Sequence, residues 1–295
     1  MTNAFITAVR RAISWPRALP AAALVAVLAA APVLSPAAAA SARAVQAVTA
    51  APALPLFARR SSDGHLLAYE PKPGGGFGSP VDLGGGFSAA TAIVRTGISG
   101  SGRNDLYFLL GASLYYTSER GTETTVVASG WYFNNLVMTP GNLGGTATSD
   151  LIVRDTAGAL WLYQGRPDGT LAARVQAGAA GWDSMNALAG FGDYTGDGKN
   201  DLLAKTSTGL LYLYPGTGSV TANGILGTRI SVGSGWGFYT ALVSTGDNDG
   251  DGKADLIARD STGLLWLFKG TGVASAPFAP RVQIGTGWNG LDALF

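Results

Sequence analysis

A thirteen-residue pattern recurs three times without a gap, as LIVRDTAGALWLY at 151–163, LLAKTSTGLLYLY at 202–214 and LIARDSTGLLWLF at 256–268. Each copy runs from an apolar stretch through a glycine-containing turn into alternating leucine and aromatic residues, which reads as strand, hairpin turn, strand. One such hairpin is too small to bury its own apolar faces, so a chain that repeats it must stack the copies against one another. Weaker copies begin at Leu56 and Leu106, which brings the number of units to five.

Each hairpin is followed by a third short strand, such as Arg174-Val175-Gln176 or Arg281-Val282-Gln283-Ile284. A Gly-aromatic step comes next, at Gly86-Phe87, Gly130-Trp131, Gly181-Trp182, Gly235-Trp236 and Gly287-Trp288. A small apolar strand, for example Tyr239 to Val243, completes the unit at four strands in about 50 residues, the period of a β-propeller blade. The predicted fold is therefore all-β: a single propeller of four-stranded blades over residues 54–295. The first unit opens at its second strand, near Leu54 to Arg59, while the chain stops after an unpaired inner strand, Leu291 to Phe295. Pairing these termini gives five blades and removes the edges of an open stack. Six or seven blades would require another chain to complete the ring.

The connection before each hairpin is acidic in the last two units. The loop from Asp247 to Asp255 places carboxylates at its positions 1, 3, 5 and 9 around Gly252 at position 6, and the loop from Asp193 to Asp201 keeps oxygen ligands at the same four positions. Calcium takes six to eight oxygens, which short carboxylates at alternating positions and a backbone carbonyl at position 7 supply. The expected ligands are Asp247, Asp249, Asp251 and Asp255 with the carbonyl of Lys253, and Asp193, Thr195, Asp197 and Asp201 with the carbonyl of Lys199. The hydroxyl of Thr195 replaces a carboxylate, so the upstream site should be the weaker. An EF-hand needs a bidentate glutamate at position 12, where these loops carry Ala258 and Ala204. The competing reading is a polar turn in which Asp and Gly merely suit the backbone.

These loops, of the form Asp-x-Asp/Thr-x-Asp-Gly-x-x-Asp-Leu, resemble the FG-GAP or VCBS repeats of the integrin α-chain propeller and of fungal propeller lectins. The Gly-Trp step followed by Gly-x-Leu-Trp/Tyr-Leu-Tyr/Phe is also similar to the five-bladed tachylectin type. The resemblance spans about 54 to 295, strong in units three to five. In units one and two, Gly97 to Asp105 and Asn142 to Asp150 keep only the last aspartate, so no metal is expected there. The resemblance implies a module that holds glycans or, as in integrins, a partner protein.

Trp131, Trp182, Trp236 and Trp288 occupy one place in each unit, with Phe87 at the fifth. A periodic aromatic suits packing between blades, and the alternative is a ring of sugar-stacking platforms between blades beside polar groups such as Asp183, Asn186, Tyr239 and Asn289. Trp161, Tyr212 and Trp266, alternating with leucine, are expected in the core. His65 is the single histidine and no cysteine exists, so a His-dependent nucleophilic centre would have to use that one ring. A pair of carboxylates suffices for glycoside hydrolysis, but most aspartates belong to repeat loops and the glutamates Glu70, Glu119 and Glu123 lie in outer segments. The stretch Pro73 to Ser79 precedes no helix and reads as an outer hairpin connection, not a phosphate loop.

The N-terminus carries Arg10, Arg11 and Arg17, an apolar run from Ala21 to Leu34 and small residues up to Ala44. This reads as a secretory signal over 1–44, cleaved after Ala40 or Ala44, with a short linker over 45–53. The run is interrupted by Pro32 and short for a membrane span. Its removal takes away four arginines and no acidic residue, so the formal charge falls from +1 to −3, which argues against nucleic-acid binding. Without cysteines, an exported domain of this kind depends on core, ring closure and bound metal.

Overall fold

The computed structural model describes residues 53–98, 105–118 and 124–295. The signal segment, all of the linker but Ala53, and Glu119 and Glu123 lie outside the described residues.

The first blade contains β1 (Leu56–Arg60), β2 (Leu66–Tyr69) and β3 (Val81–Gly84). The second comprises β4 (Ala90–Thr96), β5 (Asp105–Leu110), β6 (Ser113–Thr117) and β7 (Thr124–Ser129). The third comprises β8 (Asn134–Gly141), β9 (Asp150–Asp155), β10 (Leu160–Tyr163) and β11 (Val175–Gly178). The fourth holds β12 (Met185–Ala189), β13 (Leu202–Thr206), β14 (Leu211–Tyr214) and β15 (Ile230–Gly233), and the fifth β16 (Tyr239–Val243), β17 (Leu256–Asp260), β18 (Leu265–Phe268) and β19 (Val282–Gly285). The final strand, β20 (Leu291–Leu294), joins the first blade as its inner strand, giving five four-stranded antiparallel sheets. The molecule is a five-bladed β-propeller.

Closure follows the predicted route. Ala58 faces Leu294 and Arg59 faces Ala293 across the β1–β20 ladder, and Phe57 and Phe295 exchange two backbone hydrogen bonds of 2.8 Å. Every inner strand pairs with the second strand of its blade through a one-residue register shift. Such bulges increase local twist, which is how a blade turns its outer strands away from the axis.

The core divides into five clusters, one at each seam between neighbouring blades. Strand alternation produces this: in β10, Leu160 and Leu162 face the fourth blade, while Tyr163 packs on Trp131 on the side of the second. Hairpin residues that read as one motif in sequence therefore serve two different seams. The stretch Pro73 to Ser79 forms the expected outer turn, with a bridge between Pro71 and Phe77, and the ring of Phe77 enters the seam between the fifth and first blades.

Candidate functional site

At each Gly-Trp step the glycine lies in the left-handed region, with φ of 80° at Gly130, 118° at Gly181, 90° at Gly235 and 80° at Gly287. A residue with a Cβ is strained there. A single 3-10 turn follows, and the tryptophan N–H donates to the hairpin turn of the preceding blade: Trp182 to Gly158, Trp236 to Gly209 and Trp288 to Gly263. A cation on the second strand of that blade fastens the same step, since Arg154 donates to the carbonyls of Trp182 and Met185 and Arg259 to those of Trp288 and Leu291. Arg59 reaches Phe87 and Ala90 in the same way, and Lys205 reaches Tyr239.

The indoles then pack, tilted by 34–43°, against the last aromatic residue of a third strand. Centroid separations are 5.2 Å for Trp131–Tyr163, 4.7 Å for Trp182–Tyr214, 4.7 Å for Trp236–Phe268 and 4.6 Å for Trp288–Tyr69. Exposure is only 5% for Trp131, 7% for Trp236 and 8% for Trp288, while Trp182 is half-buried. Packing is thus the principal task of three of the four. Of the polar neighbours expected around them, Asp183, Asn186 and Asn289 are exposed, whereas Tyr239 is buried and its hydroxyl accepts a hydrogen bond from Arg281.

Trp161, Tyr212 and Trp266 differ from the sequence expectation. They are half-buried, and each ring lies under a guanidinium: Arg174 at 4.0 Å, Arg229 at 4.7 Å and Arg281 at 4.1 Å from the respective centroids. The indole N–H groups of Trp161 and Trp266 donate to Asp155 at 2.8 Å and Asp260 at 2.7 Å. The three arginines stand just before the outermost strand of their blades, β11, β15 and β19.

An open cleft of about 540 Å³ lies between the fifth and first blades. Its lining includes the apolar side chains of Tyr69, Phe77, Leu67 and Trp288 and the polar ones of Arg60, Ser61, Ser62 and Thr286. Gly285 makes room here, because a Cβ would lie 2.5 Å from the indole nitrogen of Trp288. Sequence reasoning found Trp288 but not Tyr69, Phe77 or Arg60, which lie more than 200 positions earlier and reach it only through ring closure. It also missed Tyr132, Phe133 and Phe238, which are 79%, 38% and 50% exposed beside the buried tryptophans.

In the acidic loop of the fifth blade, oxygens of Asp247, Asp249 and Asp255 lie within 4.8 Å of one another. The side chain of Asp249 is 5% exposed and meets Lys269 Nζ at 2.8 Å. Burial, with the charge of Asp249 adding to it, pushes the Asp255 carboxyl up to about 6. Three crowded, largely desolvated carboxylates form an all-oxygen donor set that fits a hard divalent cation. Asp251 turns instead to the N–H of Lys253, with the Lys253 ammonium 3.9 Å away. In the fourth blade Asp193 accepts N–H groups from Thr195, Gly196, Asp197 and Gly198, and Asp197 accepts that of Lys199. No second carboxylate trio converges there among the described residues.

The ninth position has a structural task of its own. Asp105, Asp150, Asp201 and Asp255 are all 0% exposed. One oxygen of each of the last three accepts two N–H groups of its own loop, from Leu143 and Gly144, Tyr194 and Thr195, or Asn248 and Asp249. The other oxygen of Asp201 and Asp255 accepts Gly216 N–H and Gly270 N–H beyond the hairpin. These bonds account for the aspartate at 150, whose loop lacks the other carboxylates.

An axial cavity of about 260 Å³ is lined by all five inner strands, with Arg95, Thr139 and Ser244 among apolar residues and no carboxylate side chain. The Arg95 guanidinium lies 4.4 Å from the centroid of Phe191, which itself has φ of 72°. His65 is half-buried and its Nδ1 lies 2.9 Å from Asp82.

No protein-family model and no curated protein matches the sequence. Among solved structures 141 chains match. One is the lectin BP39L from Burkholderia pseudomallei, with 13% identity, a TM-score of 0.46, and coverage of 78% of this chain and 70% of that one. Two others are structures of BBS1N in complex with ARL6DN. The lead-soaked one has 13% identity, a TM-score of 0.39 and coverage of 79% and 65%; the mercury-soaked one has 16%, 0.37, and 80% and 83%.

Proposed function

We propose that this chain is a secreted, calcium-binding propeller of the FG-GAP/VCBS type that acts as a non-catalytic carbohydrate-binding module. The observation that carries the reading is the cleft between the fifth and first blades, whose lining combines Tyr69 and Trp288 with Ser61, Ser62 and Thr286. Aromatic surface beside a few placed hydroxyls and backbone groups is the chemistry that holds a sugar ring. Trp131 and Trp236 serve packing in this reading, and the half-buried Trp182 and the cleft residue Trp288 retain a share in ligand contact.

Calcium would be held most firmly by Asp247, Asp249 and Asp255, with Asp251 and the Lys253 carbonyl turning in, and more weakly by Asp193, Thr195, Asp197, Asp201 and the Lys199 carbonyl. Its part is to stiffen the loops. Asn248 links this loop to the cleft seam, accepting the N–H of Gly76 at 2.7 Å.

A glycan array probed with the mature protein, with calcium and with chelator, tests the reading. Calcium-sensitive binding to a defined sugar supports it, and a blank array from folded, calcium-loaded protein rejects it. The exposed rings of Tyr132, Phe133 and Phe238 favour a second reading, a protein-interaction module. That reading requires a pull-down partner whose capture is lost in Tyr132→Ser or Phe238→Ser. A polysaccharide hydrolase acting in the axial funnel would need carboxylates that the lining of that cavity does not offer.

A further inference from the structure

We infer that ligand binding is confined to the seam between the fifth and first blades and selects a neutral saccharide, because arginine–aromatic pairs in three blades and a buried tyrosine in the second fill the corresponding place elsewhere. The inference rests on the carbohydrate reading above. Strand register defines the corresponding place: Leu67 in the first blade, paired with Asp82, is matched by Trp161, Tyr212 and Trp266, paired with Gln176, Ser231 and Gln283. The covering arginine stands two residues before that partner in the third, fourth and fifth blades, as Arg174, Arg229 and Arg281.

A guanidinium over a ring is held by the quadrupole of the ring as well as by contact, and here the tryptophan N–H groups anchor the rings to Asp155 and Asp260. The second blade fills the position differently, with Tyr115 only 4% exposed and stacked on Phe108 at 5.1 Å. The first blade has neither device. Leu67 is smaller than any of these rings, and the residue two before Asp82 is Pro80, which carries no cation. Leu67 lines the cleft at the place where the other blades carry a covered ring.

Its polarity follows from what is already bound there. Arg60 is the one charged residue in the lining, and its guanidinium holds both Asp63 and Asp82 at 2.8 Å. A ligand carboxylate or sulfate would meet those two carboxylates behind the arginine. What remains to be recognised are hydroxyls, by Ser61, Ser62 and Thr286, and a C–H face, by Tyr69.

The test is a glycan array carrying both neutral and uronic-acid or sialylated glycans, followed by calorimetric titration of the brightest neutral glycan. One site per chain is expected. Binding should weaken at least tenfold in Leu67→Trp/Pro80→Arg, which installs the missing stack. It should weaken likewise in Thr286→Trp, a substitution on the exposed rim that keeps the interior intact, and stay unchanged in Val126→Trp on an outer strand. More than one site, or full affinity in Thr286→Trp, overturns the location while leaving the carbohydrate reading in place. Preference for acidic glycans overturns the neutral specificity alone. Silence across the whole array sinks both.

Discussion

The ring of Trp288 lies 4.6 Å from that of Tyr69, at an interplanar angle of 40°. The two residues stand at opposite ends of the folded sequence, and their contact forms only when β20 adds to the first blade. It therefore reports on closure and on the cleft at once.

Closure should dominate stability. Deleting Leu291 to Phe295 removes the whole β1–β20 ladder and the seam contacts of Leu291 and Leu294, and leaves β1 as an open edge. The expected outcome is a fall in Tm of about 10 °C or more, or loss of a single cooperative transition, measured by calorimetry. An unchanged Tm would reject closure through β20.

Truncating the seam tryptophans separates packing from binding. Trp131→Ala and Trp236→Ala each empty a buried site and should cost about 3–5 kcal/mol in denaturant unfolding. Trp182→Ala, at a half-buried ring, should cost visibly less.

The cation that fastens each step is testable alone. Arg154 donates to two carbonyls across the seam, while Leu109 holds the equivalent place in the second blade. Arg154→Ala should cost about 2–3 kcal/mol, since charge-assisted bonds are lost and two carbonyls lose their donor. Urea unfolding at fixed calcium measures this.

Calcium dependence should follow the carboxylate trio. Chelator should lower the Tm of the native protein, and Asp247→Asn should abolish most of that difference. Asp193→Asn should leave most of it, because the fourth-blade loop lacks a converging trio. An equal loss from both variants would assign the two loops equal weight.

The buried aspartates set a pH dependence of definite sign. Burial pushes Asp150 up to about 6 from an ordinary carboxylate value of 3.8. Between those values the folded state binds more protons than the unfolded one, so the stabilisation is complete below about 4 and is lost as pH rises through about 6. In chelator, Tm should fall over that interval, and Asp150→Asn should flatten the dependence. Calcium should oppose the same trend where it arises from Asp255, whose proton competes with the cation.

The fold was legible in the sequence because it is periodic. A thirteen-residue hairpin, its glycine turn and the Gly-aromatic step recur, and each copy restates the alternation of leucine and aromatic residues that a blade needs on its two faces. The unpaired strand at each end stated the closure. The same periodicity hid the differences between seams. Trp161 and Trp266 read as core from their alternation with leucine, yet Arg174 and Arg281, on the connection beyond the hairpin, turn them into covered surface.

The local sequence thus determined the blades, the five-fold count, the acidic loops and the left-handed glycines, since each depends on hydrogen bonding and side-chain alternation within about 50 residues. Tertiary structure alone decided which repeated positions are filled and which stand open. That choice depends on cross-strand and cross-blade neighbours, such as Asp82 opposite Leu67 and Trp288 against Tyr69, which packing brings together and no local pattern encodes.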